Sequence, residues 1–535
     1  MKLTRRISIH IFLTALLIIS LLFPGQAWAQ MTALDEVREL LRTEYVDPVG
    51  EDVLNSPSID VILTKLDDPY TSFLTAAEYQ DFTNSLEQSF SGIGIYLAIV
   101  EEGIKITGLA SGASAEKANL RTGDIIISIE GRSVKGLSSE EVIPLIRGPQ
   151  GSRVQLTVLR AGTSFSVEVE RRNITVPSVT GVINPLKTGY LRIDTFGSET
   201  SSLFAASLEN LRRQNPASYI VDLRDNGGGY VQTALDIAGY FIGDQPALQI
   251  QYRDSDHFYE TAVEQNYMID KPAIFLINEN SASASEILTG AVKDYGKAVI
   301  IGTKSFGKGC MQELIKLDSG DYLKMTIARF TSPLGNEINK KGITPDLLIE
   351  KSDPLMAAEL LLSSDDSQAN KNSLVKLSLA SHNFFIDTTL AREPEYWQAY
   401  GEILDRAGTA MMKGKASGWE SITAAELADR RLLYYPDYQL GNQLPNVPVD
   451  KKFTIHFPKN VNWQTANQSN IELIASDGER IPLKFSPLSS TEIQASPGTN
   501  LLPGTFYWLV IHPDIQYEDN SSLGTGVVCT ATVER

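Results

Sequence analysis

Two turns, each directly after a short apolar run, constrain this 535-residue chain more than any other feature. The run at 273–277 predicts a buried strand, and a serine-rich turn at 278–286 leads from it into residues with helical spacing. A second apolar run, at 298–301, ends in a glycine-rich turn at 302–309. In a parallel α/β layer both turns lie at the carboxyl edge of the sheet, where open α/β folds place their sites. The pattern therefore predicts that a serine of the first turn meets Lys308 of the second.

A serine and a lysine together suggest nucleophilic catalysis. A hydroxyl is a poor nucleophile until a base takes its proton, and none of the five histidines lies in or beside these turns. A buried lysine can be that base because burial disfavours the ammonium form, and Phe306 is expected to give apolar cover. Ser–Lys pairs are a known variant of the triad. The residues alone leave Ser281, Ser283 and Ser285 open as the nucleophile.

A third turn supports a site at the same edge. Apolar residues at 219–223 predict a strand, and helical patterning begins at Val231. The turn between them holds three consecutive glycines, 227–229. Glycine lets backbone amides approach a substrate closely, although it is also the default residue of a tight turn.

The three turns resemble those of the carboxyl-terminal processing peptidases, a family of serine peptidases. The resemblance covers about residues 66–350. It rests on Asn-x-x-Ser-Ala-Ser-Ala-Ser-Glu-Ile from Asn278, Lys-Asp-Tyr-Gly from Lys293 and Phe-Gly-Lys-Gly-x-x-Gln from Phe306. It implies a supporting role for Asp294.

The resemblance also implies the catalytic roles. Ser283 would be the nucleophile, Lys308 the base, and Gln312 the residue that orients the lysine. The N–H groups of Gly228 and Ala284 would form the oxyanion hole. No metal or other cofactor is expected.

The sequence departs from the family pattern at two positions. Asn226 is followed by Gly227 where the family usually has proline, which loosens this turn. Cys310 replaces a small hydroxyl residue beside the lysine. We expect a simple replacement by another small residue there, with sensitivity to oxidation as the alternative.

Two shorter motifs suggest other enzyme classes. Residues 302–308 spell Gly-x4-Gly-Lys, as in a phosphate loop, but Gly309 stands where a magnesium-binding hydroxyl is required. Ser305-x-x-Lys308 and the Lys-Thr-Gly at Lys187 match penicillin-recognising enzymes. In those enzymes the Lys-Thr-Gly follows the nucleophile, whereas here it precedes it. We expect both matches to be chance.

The first 29 residues predict an export signal. Three cationic residues precede an apolar run at 11–23, and Ala27-Trp-Ala29 fits a cleavage site. The run is short for a membrane span, and an uncleaved membrane anchor is the alternative. We therefore expect an extracytoplasmic protein, secreted or held at the cell surface of a bacterium.

Charge and cysteine content narrow the choice of partners. The formal net charge of −18 argues against a nucleic-acid partner. The two cysteines, Cys310 and Cys529, are far apart and predict no disulfide framework. The expected partners are protein or peptide substrates with free C-termini, and a homo-oligomer is left open.

Residues 91–173, after a helical region at 30–90, predict a compact β-rich module that resembles a PDZ domain. Alternating apolar residues indicate its strands, and 138–146 indicates a helix. The resemblance implies a carboxylate-binding turn at Gly92, Ile93, Gly94 and Ile95. Such domains add a peptide as an extra strand and capture its terminal carboxylate with backbone amides.

The remaining chain completes a multidomain α/β prediction. Residues 174–350 are expected to form a serine peptidase core of the crotonase/ClpP type, directly after the PDZ-like module. Residues 351–445 predict a mixed domain of unknown role. Residues 446–535 alternate as strands and resemble an immunoglobulin-like all-β domain.

The function predicted from these features is a secreted serine endopeptidase with a Ser–Lys dyad. Its PDZ domain would recognise substrates near their C-terminus. The alternative is a catalytically silent protein whose PDZ and immunoglobulin-like modules bind extracellular peptides.

Overall fold

The computed structural model of the protein describes residues 31–110, 112–367 and 371–535. The predicted export signal lies outside these residues. The described residues divide into two compact units, the first containing those from residue 31 up to Asn84 with Ile250–His257 and Cys310–Arg329. The second contains Ser85–Gln249, Phe258–Gly309 and Phe330–Arg535. Within the described ranges, every helix is too short or too polar to cross a membrane.

The N-terminal region is helical, as its apolar spacing predicts. Its elements are α1 Ala33–Thr43, α2 Glu51–Leu54, α3 Ile59–Leu66, β1 Ser72–Leu74 and α4 Ala76–Leu86. Val37 and Leu41, one turn apart on α1, are both fully buried. They belong to a core that also includes Leu323 and Met325 of the first unit.

The PDZ-like module is a β-sheet with two helices. Its elements are β2 Ser89–Gly92, β3 Ile95–Val100, β4 Gly103–Leu109, α5 Ser114–Lys117, β5 Ile125–Ile129, β6 Arg132–Ser133, α6 Ser139–Ile146, β7 Arg153–Arg160, β8 Thr163–Glu170 and β9 Arg172–Thr175. The sheet order is β3-β4-β5-β7-β8, with β6 beside β5, while β2 pairs with β9. The module has a hydrophobic core of its own, drawn from residues 93–169.

A largely parallel six-stranded sheet forms the peptidase-like core. The elements of this region are β10 Val179–Ile183, β11 Thr188–Ile193, α7 Thr200–Arg213, β12 Ser218–Asp222, α8 Val231–Ile242, β13 Pro246–Tyr252, β14 Phe258–Thr261, β15 Ala273–Ile277, α9 Ala284–Asp294, β16 Val299–Gly302, β17 Cys310–Lys316, β18 Tyr322–Thr331 and β19 Leu347–Leu348. The sheet order is β10-β11-β12-β15-β16-β19, and only the β10–β11 pair is antiparallel. The serine-rich and glycine-rich turns therefore end adjacent parallel strands, as the sequence predicts.

Within the first unit, three strands pair in antiparallel fashion. Ser72 of β1 lies opposite Lys324 of β18, and Cys310 of β17 lies opposite Arg329 of β18. The register shifts at Met311/Gln312, which marks a bulge in β17.

Residues after 350 continue with helices and a small sheet. These elements are α10 Pro354–Leu361, β20 Leu374–Leu379, β21 His382–Asp387, α11 Thr388–Ala391, α12 Pro394–Ala407, a 3₁₀ turn at Gly408–Ala410, β22 Met411–Lys415, β23 Gly418–Ser421, α13 Ala424–Ala428, α14 Arg431–Tyr434 and β24 Gln439–Val447. Strands β21-β20-β22-β23 form the sheet.

The helices of this region cover one face of the six-stranded sheet. Alternate sheet residues such as Ile220, Ile274 and Val299 share a core with the apolar faces of α10 and α12. On the opposite face, Phe275 of β15 packs against Phe241 of α8 with ring centroids 5.1 Å apart. The mixed region therefore supplies the third layer of the α/β core.

The C-terminal part is all β, apart from a 3₁₀ turn at Trp463–Thr465. Its strands are β25 Phe453–His456, β26 Ile471–Ala475, β27 Arg480–Ile481, β28 Leu483–Pro487, β29 Glu492–Pro497, β30 Phe506–Ile511 and β31 Val527–Val533. One sheet has the order β24-β31-β30-β26-β27 and the other the order β25-β29-β28. The immunoglobulin-like classification of this part stays a prediction.

Candidate active site

Ser283 lies at the sharp junction between β15 and α9. It is the residue before the first helical residue, and its φ and ψ are 56° and −113°. A non-glycine residue with this backbone conformation is strained, and such strain is concentrated at functional sites. A serine held on a strained strand-to-helix turn presents its hydroxyl at the top of the sheet.

Burial separates the three candidate serines. Ser281 is 1% exposed and its hydroxyl donates to the Leu223 carbonyl at 2.8 Å. Ser285 is fully buried and donates to the Asn226 carbonyl at 2.9 Å. Ser283 is partly exposed. The flanking serines therefore fix the turn against the loop at 223–230, and Ser283 is left as the candidate nucleophile.

Gly228 lies against Ser283. Its φ is 100°, and a methyl group there would lie 2.8 Å from the Cβ atom of Ser283 and 2.9 Å from the Ala284 nitrogen. No larger residue fits this approach. The Gly228 N–H donates to Asn226 Oδ1 at 2.9 Å, so in this structure the N–H predicted for the oxyanion hole already has a partner.

A polar clamp joins the loop at 223–230, between β12 and α8, to the serine-rich turn. The Asp225 N–H donates to Asn278 Oδ1 at 2.9 Å. In return, the side-chain amides of Asn278 and Asn280 donate to Asp225 Oδ1 at 2.8 and 2.9 Å. These amide bonds, Asn280's first, lower the pKa of Asp225, so the clamp carries a negative charge at neutral pH.

The glycines on both sides of Lys308 permit close backbone contact. Gly307 has a φ of 92°, and a methyl group there would lie 2.9 Å from the Gly342 nitrogen. A methyl group at Gly309 would overlap the backbone of Asn339. Lys308 itself is partly buried, whereas Phe306 is 55% exposed. The expected apolar cover from Phe306 is therefore largely missing, because its ring faces solvent.

The glycine-rich turn at 302–309, called the lysine loop below, is attached in two ways to the serine-rich turn at 278–286, called the nucleophile turn below. The Phe306 N–H donates to the Ser281 carbonyl at 3.0 Å. In addition, Glu286 Oε2 accepts the N–H groups of Ser283 and Lys308 at 2.9 and 2.8 Å. The structure thus brings together the two predicted turns. Glu286 was not predicted as a site residue, although its position three residues after Ser283 fits a helix-capping pattern.

Gln312 and Cys310 interact with each other within the first unit. The Gln312 side-chain amide donates to the Cys310 carbonyl and to its Sγ atom, both at 3.2 Å. Cys310 is 4% exposed. The predicted orienting role of Gln312 stays a prediction.

Asp294 has the supporting position that the resemblance implies. Its carboxylate accepts the Leu334 N–H and the Asn336 side-chain amide, both at 2.9 Å. It therefore anchors the turn after β18 to the end of α9.

A buried ion pair braces the start of the loop at 223–230. Asp222 is fully buried and accepts bonds from Arg224 Nη2 at 2.6 Å and from the Tyr190 hydroxyl at 2.8 Å. Burial and the Asp222 charge raise the pKa of Tyr190 to about 12. This tyrosine therefore stays neutral and acts as a donor.

Both rival motifs disagree with this geometry. The turn that ends in Lys308 leads into strand β17, whereas a phosphate loop leads into a helix. The Ser305 hydroxyl is buried and donates to Glu286 Oε1 at 2.6 Å, so it is not presented as a nucleophile.

The predicted carboxylate-binding turn of the PDZ-like module lies between β2 and β3. Gly94 has a φ of 79°, and a methyl group there would overlap the Ala113 side chain. The Ile93 carbonyl accepts the Ala115 N–H at 2.9 Å, and Ile93 is 1% exposed. Gly92 ends β2 and Ile95 begins β3, an edge strand of the sheet.

Comparison with known proteins gives the same two modules. Residues 187–349 match Peptidase family S41, and residues 83–159 match the PDZ domain. The carboxy-terminal processing protease CtpB of Bacillus subtilis (strain 168) is 33% identical over 340 residues, covering 62% of this chain and 70% of the relative. The chain belongs to peptidase family S41.

Two further similarities involve other C-terminal processing proteases. The carboxy-terminal processing protease CtpA of the same organism is 30% identical over 343 residues, covering 63% of this chain and 73% of the relative. The solved structure of the photosystem II D1 C-terminal processing protease is 27% identical with a TM-score of 0.41, covering 63% of this chain and 98% of that one.

This S41 peptidase is accordingly a serine-type C-terminal processing peptidase with a PDZ domain. The catalytically silent alternative is not favoured. The aligned parts of the two Bacillus relatives leave more than a third of this S41 peptidase unmatched.

Proposed function

We propose that Ser283 and Lys308 form the catalytic dyad of this peptidase. Neutral Lys308 accepts the hydroxyl proton as Ser283 Oγ attacks the peptide carbonyl, and it then protonates the leaving amine. Neutral Lys308 then deprotonates a water molecule, which hydrolyses the acyl-enzyme, and the lysine returns the proton to Ser283 Oγ. The observation that carries the proposal is the attachment of the lysine loop to the nucleophile turn through Glu286.

The proposed oxyanion hole begins with the Ala284 N–H. Ala284 is the first residue of α9, and the first N–H groups of a helix have no partner within the helix. Gly228 lies beside it, and its N–H would join the hole when it leaves Asn226 Oδ1. We propose that Gln312 orients Lys308, as in the family pattern.

The PDZ turn at Gly92–Ile95 is proposed to bind the free C-terminus of a substrate protein. The edge position of β3 supports this role, because a peptide can add to an edge strand. Protein or peptide substrates follow from the two modules together.

We further propose an extracytoplasmic location, based on the N-terminal sequence. The core is proposed to be of the crotonase/ClpP type, and the C-terminal part an immunoglobulin-like sandwich that docks on the catalytic unit. A homo-oligomer and an uncleaved anchor are left for experiment.

The direct test is cleavage of an unfolded protein with a nonpolar C-terminus. Ser283→Ala and Lys308→Ala should each lower the rate by about a thousandfold or more, because the members of such a catalytic unit act together. Lys304→Ala removes an exposed lysine of the same loop and should leave the rate unchanged. Wild-type cleavage should rise with pH as the lysine loses its proton. Cleavage by Ser283→Ala at the wild-type rate would refute the dyad.

A further inference from the structure

Glu286 has an environment that helix capping alone does not explain. It is 1% exposed, in the first turn of α9. A glutamate at this position commonly accepts the N–H of the residue before the helix, and here it accepts that of Ser283 at 2.9 Å. Three more donors come from residues 305–308, about twenty positions further along the chain.

The two carboxylate oxygens divide these donors. Oε2 accepts the backbone N–H groups of Ser283 and Lys308 at 2.9 and 2.8 Å. Oε1 accepts the Gly307 N–H at 2.7 Å and the Ser305 hydroxyl at 2.6 Å. Oε2 alone therefore accepts the backbone N–H groups of both the proposed nucleophile and the proposed base.

Burying a carboxylate costs free energy unless hydrogen bonds replace its water. Burial raises the pKa of Glu286, and the bonds from Ser305, Ser283, Gly307 and Lys308 oppose that rise. An ionised carboxylate accepts all four donors, whereas a protonated one carries an O–H that must displace at least one of them.

We infer that Glu286 is a positioning residue whose ionised carboxylate holds the backbones of Ser283 and Lys308 in register for proton transfer. The inference rests on the proposed dyad and adds a group that touches neither substrate nor the reacting atoms. Misplacement of catalytic groups by about 1 Å can cost a hundredfold in rate, so loss of this link should slow catalysis strongly.

The test is the rate at which a fluorophosphonate probe labels the full-length protein between about pH 4 and pH 9. Glu286→Gln replaces an acceptor oxygen with an NH₂ group that faces two donors. We expect labelling to slow by about a hundredfold. The matched control is Glu279→Gln. Glu279 is exposed on the same turn, and its carboxylate accepts one hydrogen bond from a hydroxyl group of the lysine loop, that of Thr303. Its labelling should match wild type.

The pH profile separates positioning from a general loss of stability. In wild type, both Glu286 and Lys308 must be deprotonated, so the logarithm of the rate should fall with a limiting slope of two at acid pH. For Glu286→Gln, the logarithm of the labelling rate should fall with a slope of one. Glu286→Asp keeps a titrating carboxylate and should retain the slope of two at a reduced rate.

Hydrogen exchange gives a readout that does not depend on catalysis. The amides of Ser283 and Lys308 should be protected in wild type and exchange faster together in Glu286→Gln, with the Glu279→Gln variant unchanged. Labelling of Glu286→Gln within about twofold of wild type, or joint protection that persists, would overturn the inference. If Ser283→Ala labels as fast as wild type while the exchange result holds, the dyad fails and the backbone link stands.

Discussion

At the scale of single residues, two adjacent glycines of the loop before α8 should respond very differently to the same substitution. Gly227 lies where the family usually has proline, and a methyl group there meets nothing within 4 Å. Gly228 has a φ of 100°, and a methyl group there would press on the Ala282 carbonyl, Ser283 and the Ala284 nitrogen. Gly228→Ala should therefore displace the nucleophile turn and abolish most activity.

Gly227→Ala is the matched control for that substitution. It should keep full activity and raise the free energy of unfolding by about 0.4–1 kcal/mol, because the unfolded chain loses conformational freedom. Cleavage rates and thermal unfolding of both variants check this prediction. Equal activity of the two variants would mean that the approach of Gly228 to Ser283 has no functional role.

The residues of the site were predictable to different degrees. The motif around Ser283 and Lys308 predicts both, because each has a fixed place within a short sequence pattern. Glu286 was missed because three of its four partners come from a loop about twenty residues away, and that contact arises only when β15 and β16 pair. The bond between Gln312 and Cys310 was equally invisible, since it depends on a backbone bulge in β17.

At the scale of elements, α12 carries a buried carboxylate that holds the end of the peptidase core. Glu402 is 4% exposed and accepts the N–H groups of Glu350, Lys351 and Ser352, together with the Ser352 hydroxyl. Burial alone would raise the pKa of Glu402, but these bonds bring it below its ordinary value of 4.5.

Glu402→Gln should lower the free energy of unfolding by about 2–3 kcal/mol at neutral pH, because bonds to a charged acceptor are lost. Since the folded-state pKa is depressed, the stabilisation is complete above the unfolded-state pKa and is lost as pH falls through the folded one. The difference in the free energy of unfolding between the variant and wild type should therefore become smaller at acid pH. Glu395→Gln, on the exposed first turn of the same helix, is the control in denaturant titrations. A difference that does not change with pH would contradict the linkage.

The elements themselves were largely predictable where apolar spacing was strong. The apolar spacing at 394–407 predicts a helix, which spans Pro394–Ala407, and the pattern at 374–386 predicts a hairpin, which β20 and β21 form. Their packing partners were not predictable. Local periodicity shows that α12 has an apolar face, but it does not show that this face shares a core with Ile274 and Val299 of the six-stranded sheet.

At the scale of the whole second unit, two arrangements of hydrophobic core coexist. The PDZ-like module has its own core, including Ile104, Ile126 and Val158. The six-stranded sheet, the helices after residue 350 and one face of the C-terminal strands, including Trp508, instead share one core, whereas the opposite face of those strands packs into a core of its own. Trp508 links them through an edge contact with Trp397, their ring centroids 5.2 Å apart. This shared core was not predicted, because the sequence patterns after residue 350 indicate separate modules.

Shared cores should unfold together, and this can be measured by hydrogen exchange. Trp508→Ala should cost about 3–5 kcal/mol and accelerate exchange in β15 and β16 of the peptidase core as well as in the C-terminal strands. Ile126→Ala should cost about 2–5 kcal/mol and accelerate exchange only within the PDZ-like module. Leu502→Ala, at a position 64% exposed in the C-terminal part, should change neither. If Trp508→Ala affects the C-terminal strands alone, that part is an independent domain. If it reaches β15, the C-terminal region is part of the scaffold that holds Ser283 in its strained turn.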